Sequence, residues 1–267
     1  PAAFRARAEQ LAGTSVSDYR ELHRWSVTQT EAFWNLVWDF CQLRGHKGER
    51  VLEPSPVFRH NRWFPDARIN MAENLLPRHD THTALVSIDE SGRRDQISYN
   101  DLHVAAGQVA AQLRAAGVEP GDRVAGYMPN RIETVIAALG CAWIGAIWSS
   151  CSPDFGVEGV LDRFGQIEPK VLIAQDGYVH AGKRVDKRAA LAEITEGLPS
   201  LVARVTRPVA GDLPEGHHAW DDLLDDDVAL KTVQVPFDHP LWIVYSSGTT
   251  VNPKPIVHGH GGVALEA

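Results

Sequence analysis

Apolar positions along the chain fall into two regimes. In the first, Phe33, Trp34, Val37, Trp38 and Cys41 recur at helical spacing, and Gly45 then ends the pattern. Plain core packing accounts for this aromatic stripe. Residues from Pro54 to Pro77 carry no periodicity, so residues 1–77 are expected to form a helical arm ahead of a separate domain over 78–267.

From about Thr83 the pattern becomes an alternation of strands and helices. Ala84–Ile88 is a short apolar run closed by the turn signal Glu90-Ser91-Gly92. Ser98 is an N-cap with Asp101 three residues on, Leu102, Ala105, Ala106, Val109 and Leu113 form one helical face, and Gly117 stands at its C′ position. Strand Arg123–Met128, a helix through Ile132, Ile136, Leu139 and Trp143, strand Ala146–Ser149, a helix over Val157–Phe164 and strand Lys170–Ala174 follow. Strand–helix–strand spacing of this kind predicts an α/β fold with a mostly parallel sheet and flanking helices. Ligands of such sheets bind beyond the carboxyl ends of the strands. The loops after Met128, Ser149, Ala174 and Tyr245 are therefore the places to look for chemistry.

Composition narrows the partners. With 26 basic against 34 acidic residues and a net charge of −8, the chain lacks the basic balance of a nucleic-acid or anionic-membrane binder, though a local basic pocket remains open. The longest apolar stretch, Val135–Trp148, falls short of the roughly 20 residues a membrane span needs. Three cysteines, Cys41, Cys141 and Cys151, read as reduced core thiols of a cytoplasmic protein. The acidic run Asp221-Asp222 and Asp225-Asp226-Asp227 lacks the spacing of a calcium loop and reads as a solvated helix end and loop. The twelve histidines show no zinc spacing, and His217-His218 reads as loop, so no metal site is assigned.

One segment has the composition of a phosphate cradle. The apolar strand Leu241–Tyr245 runs into Ser246-Ser247-Gly248-Thr249-Thr250-Val251-Asn252-Pro253-Lys254, with a helix expected around Gly262. Hydroxyls and backbone N–H groups can donate to phosphate oxygens, and lysine adds charge. It is not the P-loop of the common nucleotide hydrolases, because Pro253 and Pro255 flank Lys254 where that motif has a glycine and a metal-binding hydroxyl. On composition alone, a plain hydroxyl-rich turn at a strand end remains an equal alternative.

The string Ser246–Thr250 with Pro253-Lys254 resembles the phosphate-binding signature of the adenylate-forming superfamily of acyl-CoA synthetases, luciferases and nonribosomal adenylation domains. Within it, the segments Phe33–Phe40, Trp63–Arg68 with Ala72–Leu76, Gly145–Gly156 and Lys254–Gly262 resemble the acetoacetyl-CoA synthetase branch. The resemblance implies a ligase that activates acetoacetate with ATP, helped by Mg2+, and passes the acyl group to coenzyme A. Ser246, Ser247, Gly248, Thr249, Thr250 and Lys254 would hold the ATP phosphates. Ser149 and Ser150 would lie where related synthetases pass the pantetheine arm of coenzyme A, and Lys183 near a coenzyme A phosphate. The alternatives are a strand end for the two serines and a solvated helix lysine for Lys183.

Two departures qualify the resemblance. The branch has glycine where this chain has Val251, whose branched side chain stiffens a loop that must close on phosphates. Val251 is expected to weaken ATP binding or slow adenylation, and Val251→Gly to raise the adenylation rate. The superfamily's adenine contacts, most of its acyl pocket and its adenylating lysine have no counterpart here. The chain therefore reads as an N-terminal piece, inactive alone, whose partners are small-molecule substrates and its own C-terminal remainder. Competing readings are another short-chain acyl-CoA synthetase, a non-catalytic nucleotide- or CoA-binding module, and a structural domain without a ligand.

Overall fold

The structure, a computed structural model, describes residues 2–13, 15–224, 231–246 and 253–266. It divides into two compact units. The smaller holds residues 1–69, 234–239 and 260–267; the larger holds 70–233 and 240–259.

The smaller unit opens with helices α1 (Ala2–Ala12), α2 (Tyr19–Thr28) and α3 (Thr30–Phe40). Asp18 caps α2 by accepting the Glu21 N–H at 2.9 Å. Ala8, Trp25 and Leu36 are buried together, with Phe4 and Phe33 packed against them. Trp38, Phe64 and Phe237 form a second aromatic cluster, with ring centroids 5.0 Å (Trp38–Phe64) and 5.1 Å (Phe64–Phe237) apart. The stripe on α3 is thus core, as its spacing implies, except at its end. The helix stops at Phe40, so Cys41 lies past it and is exposed, not a core thiol.

Cys141 and Cys151 are free and buried. Burial pushes the Cys151 thiol up to about 11 and that of Cys141 higher still. A thiol reagent at neutral pH should therefore label Cys41 alone in the native protein and all three cysteines in denaturant. Labelling of more than one native thiol would contradict this packing.

In the larger unit the first strand lies outside the main sheet. β1 (Thr83–Ile88) pairs antiparallel with β2 (Arg94–Ser98) as a separate hairpin. Ser98 caps α4 (Tyr99–Ala115), accepting the Asp101 N–H at 3.1 Å. The other end of α4 is a Schellman turn: the Val118 N–H reaches the Leu113 carbonyl at 3.0 Å, and that of Gly117 the Arg114 carbonyl at 2.8 Å, with Gly117 at φ +81°.

There follow β3 (Arg123–Tyr127), α5 (Ile132–Trp143), β4 (Ile147–Cys151), α6 (Val157–Phe164) and β5 (Val171–Gln175). The chain continues through the hairpin β6 (Gly177–His180) and β7 (Lys183–Asp186), α7 (Arg188–Glu196), β8 (Ala203–Arg207) and a two-residue edge strand β9 (His218–Ala219). β10 (Pro240–Tyr245) and β11 (Pro255–Gly259) complete a seven-stranded sheet in the order β9-β8-β5-β3-β4-β10-β11. All neighbours in it are parallel except the last pair. The α/β fold with a parallel sheet is therefore the one the sequence predicts.

The chain crosses from β3 to β4 on one side and then back over β3 to β5 on the other. Right-handed crossovers in opposite directions put α5 and α6 on opposite faces and open a crevice between the loops that follow β3 and β5. Tyr127, Leu172, Ile173 and Phe164 are among the largest fully buried side chains. Val160, Phe164, Leu191 and Ile194, from α6 and α7, pack with the sheet residues Ala125, Tyr127 and Leu172. No helix among the described residues is long and apolar enough to cross a membrane.

Candidate functional site

The sequence places the strand Leu241–Tyr245, the hydroxyl-rich loop and a helix around Gly262, and the helix His260–Glu266 is there. The structure places β11 in between, so the segment is a β-hairpin: Tyr245 stands opposite Pro255 and Val244 opposite Ile256. The helix α8 (His260–Glu266) begins only after β11. Five residues are too few for periodicity to show, and Ile256 and Val257 take the strand because β-branched side chains fit a pleated surface. Among the described residues, no helix begins between β10 and β11.

Ser247, Gly248, Thr249, Thr250 and Val251 lie outside the described residues. The described ends of the loop are well fixed. The Ser246 N–H donates to the Lys254 carbonyl at 3.1 Å, closing the neck. The Lys254 side chain is exposed at the mouth. The Tyr245 hydroxyl donates to the Arg163 carbonyl at 2.7 Å, and Gln166 Nε2 donates to the Pro253 carbonyl at 3.0 Å. Both ends of the loop are thus moored to the last turn of α6 and the residues just past it.

β4 lies beside β10 in the sheet, with Ser149 opposite Ile243. Ser149 is buried, and its hydroxyl donates to the Ile243 carbonyl at 2.9 Å. Ser150 is exposed. Adjacent residues of a strand face opposite sides, so the two serines do not present their hydroxyls to one ligand surface. The loop after β4 is pinned from two sides. The Tyr127 hydroxyl lies 3.0 Å from the Pro153 carbonyl and 3.1 Å from that of Phe155, and the Tyr178 hydroxyl donates to Asp154 Oδ1 at 2.5 Å. Burial pushes the Tyr127 phenol up to about 12, and the Asp154 bond does the same for Tyr178, so both remain donors at neutral pH. The same bond, with that of Ser152, holds Asp154 below the usual carboxylate range.

A cleft of about 590 Å3 lies at the carboxyl ends of β3, β4, β5 and β8. Asn130, Arg131, Asp154, Tyr178, His180 and Arg184 give it a mixed polar lining. It occupies the crevice that the reversal of strand order creates, where open α/β sheets take their ligands. Arg131 is held by Asp95 at 3.4 Å and Glu133 at 3.3 Å, and Glu133 also binds Arg207 at 2.7 Å.

Lys183 is not on a helix. It is the first residue of β7, exposed, just past a turn in which Ala181 and Gly182 take φ of +50° and +72°, as a two-residue hairpin turn requires. Its neighbour Arg184 lines the cleft, and Lys183 is not among the lining residues. Among the described residues no group of three or more His, Cys, Asp or Glu could hold a metal. His217, read as loop, is within 2.8 Å of the Thr206 hydroxyl, and His218 lies in β9. The residues that the sequence passed over are Tyr178, Asp154, Arg163 and Gln166. Their partners lie 24 to 87 residues away in the chain, and the one local signal for any of them was the conspicuous string Ser152–Gly156.

An open, mostly parallel sheet with helices between its strands and a cleft at their carboxyl ends defines a ligand-binding α/β architecture. Comparison with known sequences makes the class definite. The profile of AMP-binding enzymes matches residues 73–267, and that of the acetyl-coenzyme A synthetase N-terminus matches residues 19–75. The chain belongs to the AMP-binding enzyme family. It is 42% identical over 264 residues to the acetoacetyl-coenzyme A synthetase of Rhizobium meliloti (strain 1021), covering 95% of this chain and 40% of that protein. It is 38% identical to the malonamoyl-CoA synthetase of Penicillium aethiopicum, over 99% of this chain and 39% of the relative. The solved acetoacetyl-CoA synthetase from Streptomyces lividans superposes with a TM-score of 0.93 at 41% identity, covering 99% of this chain and 42% of that one. The chain thus spans about 40% of the length of the relatives it matches.

Proposed function

We propose that the chain belongs to an ATP-dependent ligase that joins acetoacetate to coenzyme A through an acyl adenylate, a reaction of ketone-body and lipid metabolism. The observation that carries the reading is the Ser246–Lys254 loop, hung from the carboxyl end of β10, in a chain 42% identical to an acetoacetyl-coenzyme A synthetase. In the first step a carboxylate oxygen attacks the α-phosphorus of ATP and pyrophosphate leaves. In the second the coenzyme A thiol attacks the acyl carbon and AMP leaves. Adenylation gives a poor electrophile a good leaving group, and the protein's task is to position anions and offset their charge.

In this reading Ser246, Ser247, Gly248, Thr249, Thr250 and Lys254 bind the terminal ATP phosphates. Ser150 and Lys183, both exposed, are placed toward coenzyme A, and Ser149 holds β4 against β10. Mg2+ would enter on the phosphates of ATP. The adenylating lysine is assigned to no residue of this chain. The division into an arm over 1–77 and an AMP-binding domain over 78–267 is part of the reading, supported by family matches that meet at residues 73–75. A cytoplasmic site is part of it too, supported by three free cysteines.

The test is ATP–pyrophosphate exchange by the protein expressed from its complete gene. Exchange driven by acetoacetate in preference to acetate supports the reading; none with any short carboxylic acid refutes it. The Penicillium relative favours a second reading, a synthetase for another short acid, and exchange driven best by malonamate would select it.

A further inference from the structure

One wall of the cleft is the hairpin β6–β7, which contributes Tyr178, Val179, His180, Arg184 and Val185 to its lining. The loop after β4 contributes Asp154. The two segments meet where the Tyr178 hydroxyl donates to Asp154 Oδ1 at 2.5 Å. That length is typical of a hydroxyl bonded to an ionised carboxylate, a bond roughly twice as strong as one between neutral groups. The bond holds Asp154 below the usual carboxylate range and pushes the Tyr178 phenol up to about 12. At neutral pH the carboxylate is therefore ionised and the phenol keeps its proton, as the clasp requires.

The two ends of the clasp differ in stiffness. Asp154 is fixed from all sides. The Ser152 hydroxyl donates to its Oδ2 at 2.9 Å and accepts its N–H at 3.2 Å, and the Tyr127 hydroxyl reaches the carbonyls of its neighbours Pro153 and Phe155. The hairpin is less secure. β6 and β7 pair with each other in a two-stranded sheet of their own, and such hairpins are marginal in water without further support. Towards the tip, His180 Nδ1 lies 3.2 Å from Glu90 Oε1, but both side chains are exposed and such pairs contribute little. At the base, the Lys187 ammonium lies 5.8 Å from the centre of the Tyr178 ring. Tyr178 thus joins a weakly supported wall to a rigid loop.

We propose that Tyr178 is a positioning residue: its clasp on Asp154 holds the β6–β7 wall against the loop after β4, so that the cleft is preformed for coenzyme A. The identity of the ligand rests on the ligase reading, which places Ser150 of β4 and Lys183 of the hairpin toward coenzyme A; the clasp itself does not. A preformed wall removes part of the ordering cost of binding. Its loss should be felt in affinity for the thiol and not in adenylation, a step that needs no coenzyme A.

Three variants of the protein expressed from its complete gene test this: Tyr178→Phe, Asp154→Ala and the two combined. Tyr178→Phe should raise KM for coenzyme A about fivefold, the effect of one exposed charge-assisted bond. Its kcat should be nearly unchanged, and acetoacetate-dependent ATP–pyrophosphate exchange should run at the parent rate. Asp154→Ala should do the same, and the double variant should be no worse than either, because both changes remove one contact. Effects that multiply in the double variant, or a loss in Tyr178→Phe that Asp154→Ala does not share, would mean that the phenol acts on the ligand directly and would overturn the proposal. Equal slowing of both half-reactions would mark general loosening and overturn it too.

A spectroscopic measurement reads the clasp without turnover. Followed by the NMR signals of its ring, Tyr178 should titrate near 12 in the parent and return toward the ordinary tyrosine value of about 10 in Asp154→Ala. A parent phenol that titrates near 10, or one that Asp154→Ala leaves unchanged, overturns the proposal. A parent without ATP–pyrophosphate exchange would sink the ligase reading. The phenol titration and the calorimetric affinity for coenzyme A would then still decide the clasp, with equal affinity in parent and Tyr178→Phe, or no binding at all, counting against it.

Discussion

Replacing Asn70 by alanine should lower stability by about 3 kcal/mol, from one lost cap and two lost side-chain hydrogen bonds to backbone carbonyls. Asn70 is fully buried. Its Nδ2 donates at 2.8 Å to the carbonyls of both Ala142 and Val233, and its Oδ1 accepts the Ala72 N–H at 2.9 Å. One side chain therefore caps the short helix Met71–Leu75, satisfies a carbonyl at the carboxyl end of α5, and fastens the segment that leads toward β10. Alanine leaves the Ala72 N–H without its cap and the Val233 carbonyl without this donor, while the Ala142 carbonyl keeps the Gly145 N–H at 3.1 Å. In a domain of this size the loss corresponds to a fall in melting temperature of roughly 6–12 °C. Asn70→Asp keeps the shape and the cap but replaces the donor by an acceptor facing two carbonyl oxygens. Its ionised form is disfavoured there, so its folded pKa is raised. The stability of the Asp variant should then be greatest below the ordinary aspartate pKa and fall as pH rises through the raised value. Urea midpoints for the two variants between pH 4 and 8 check both statements. Midpoints equal to the parent's at every pH would show that Asn70 holds nothing together.

Asn70 also shows where reading the chain stops. What was legible in the sequence was local. The Ser98–Asp101 cap, the Gly117 terminus of α4 and the apolar faces of α5 and α6 are set by residues within one or two turns of one another. The alternation of strand and helix then leaves few topologies, and the parallel sheet follows. What was not legible depends on distant partners. Asn70 meets carbonyls 72 and 163 residues away, and nothing near it in sequence marks it. β1 pairs with β2 because a turn closes the hairpin, although the apolar run alone reads like the first strand of the parallel sheet. β11 is defined by its pairing with β10, not by a pattern of its own. Of the candidate site, the loop was visible because hydroxyl, glycine and lysine cluster there. The contacts that moor it through α6 were not, because Arg163 and Gln166 look like ordinary surface residues of an amphipathic helix end.

The hairpin geometry makes Lys254 the residue with the largest expected effect on catalysis. It sits one residue before β11, exposed at the mouth of a loop whose neck is closed by its own carbonyl and the Ser246 N–H. Pro253 and Pro255 fix the backbone on either side, so its Cα is held firmly while the ammonium remains free to follow a phosphate. Among the described residues no helix starts at this loop, so the reading gives the cation itself the task of offsetting phosphate charge. In the protein expressed from its complete gene, Lys254→Ala should lower kcat/KM for ATP in acetoacetate-dependent pyrophosphate exchange about 100-fold, at the lower end of what one preorganised donor contributes. Lys254→Arg keeps the charge but not its reach, and should lose roughly tenfold by the same reasoning. Transfer from acetoacetyl adenylate supplied ready-made should be nearly unaffected in both variants, because pyrophosphate has already left. That asymmetry separates a phosphate ligand from a residue that merely keeps the hairpin folded. A lysine with only a structural role would slow both half-reactions alike, and equal losses would remove Lys254 from the phosphate site.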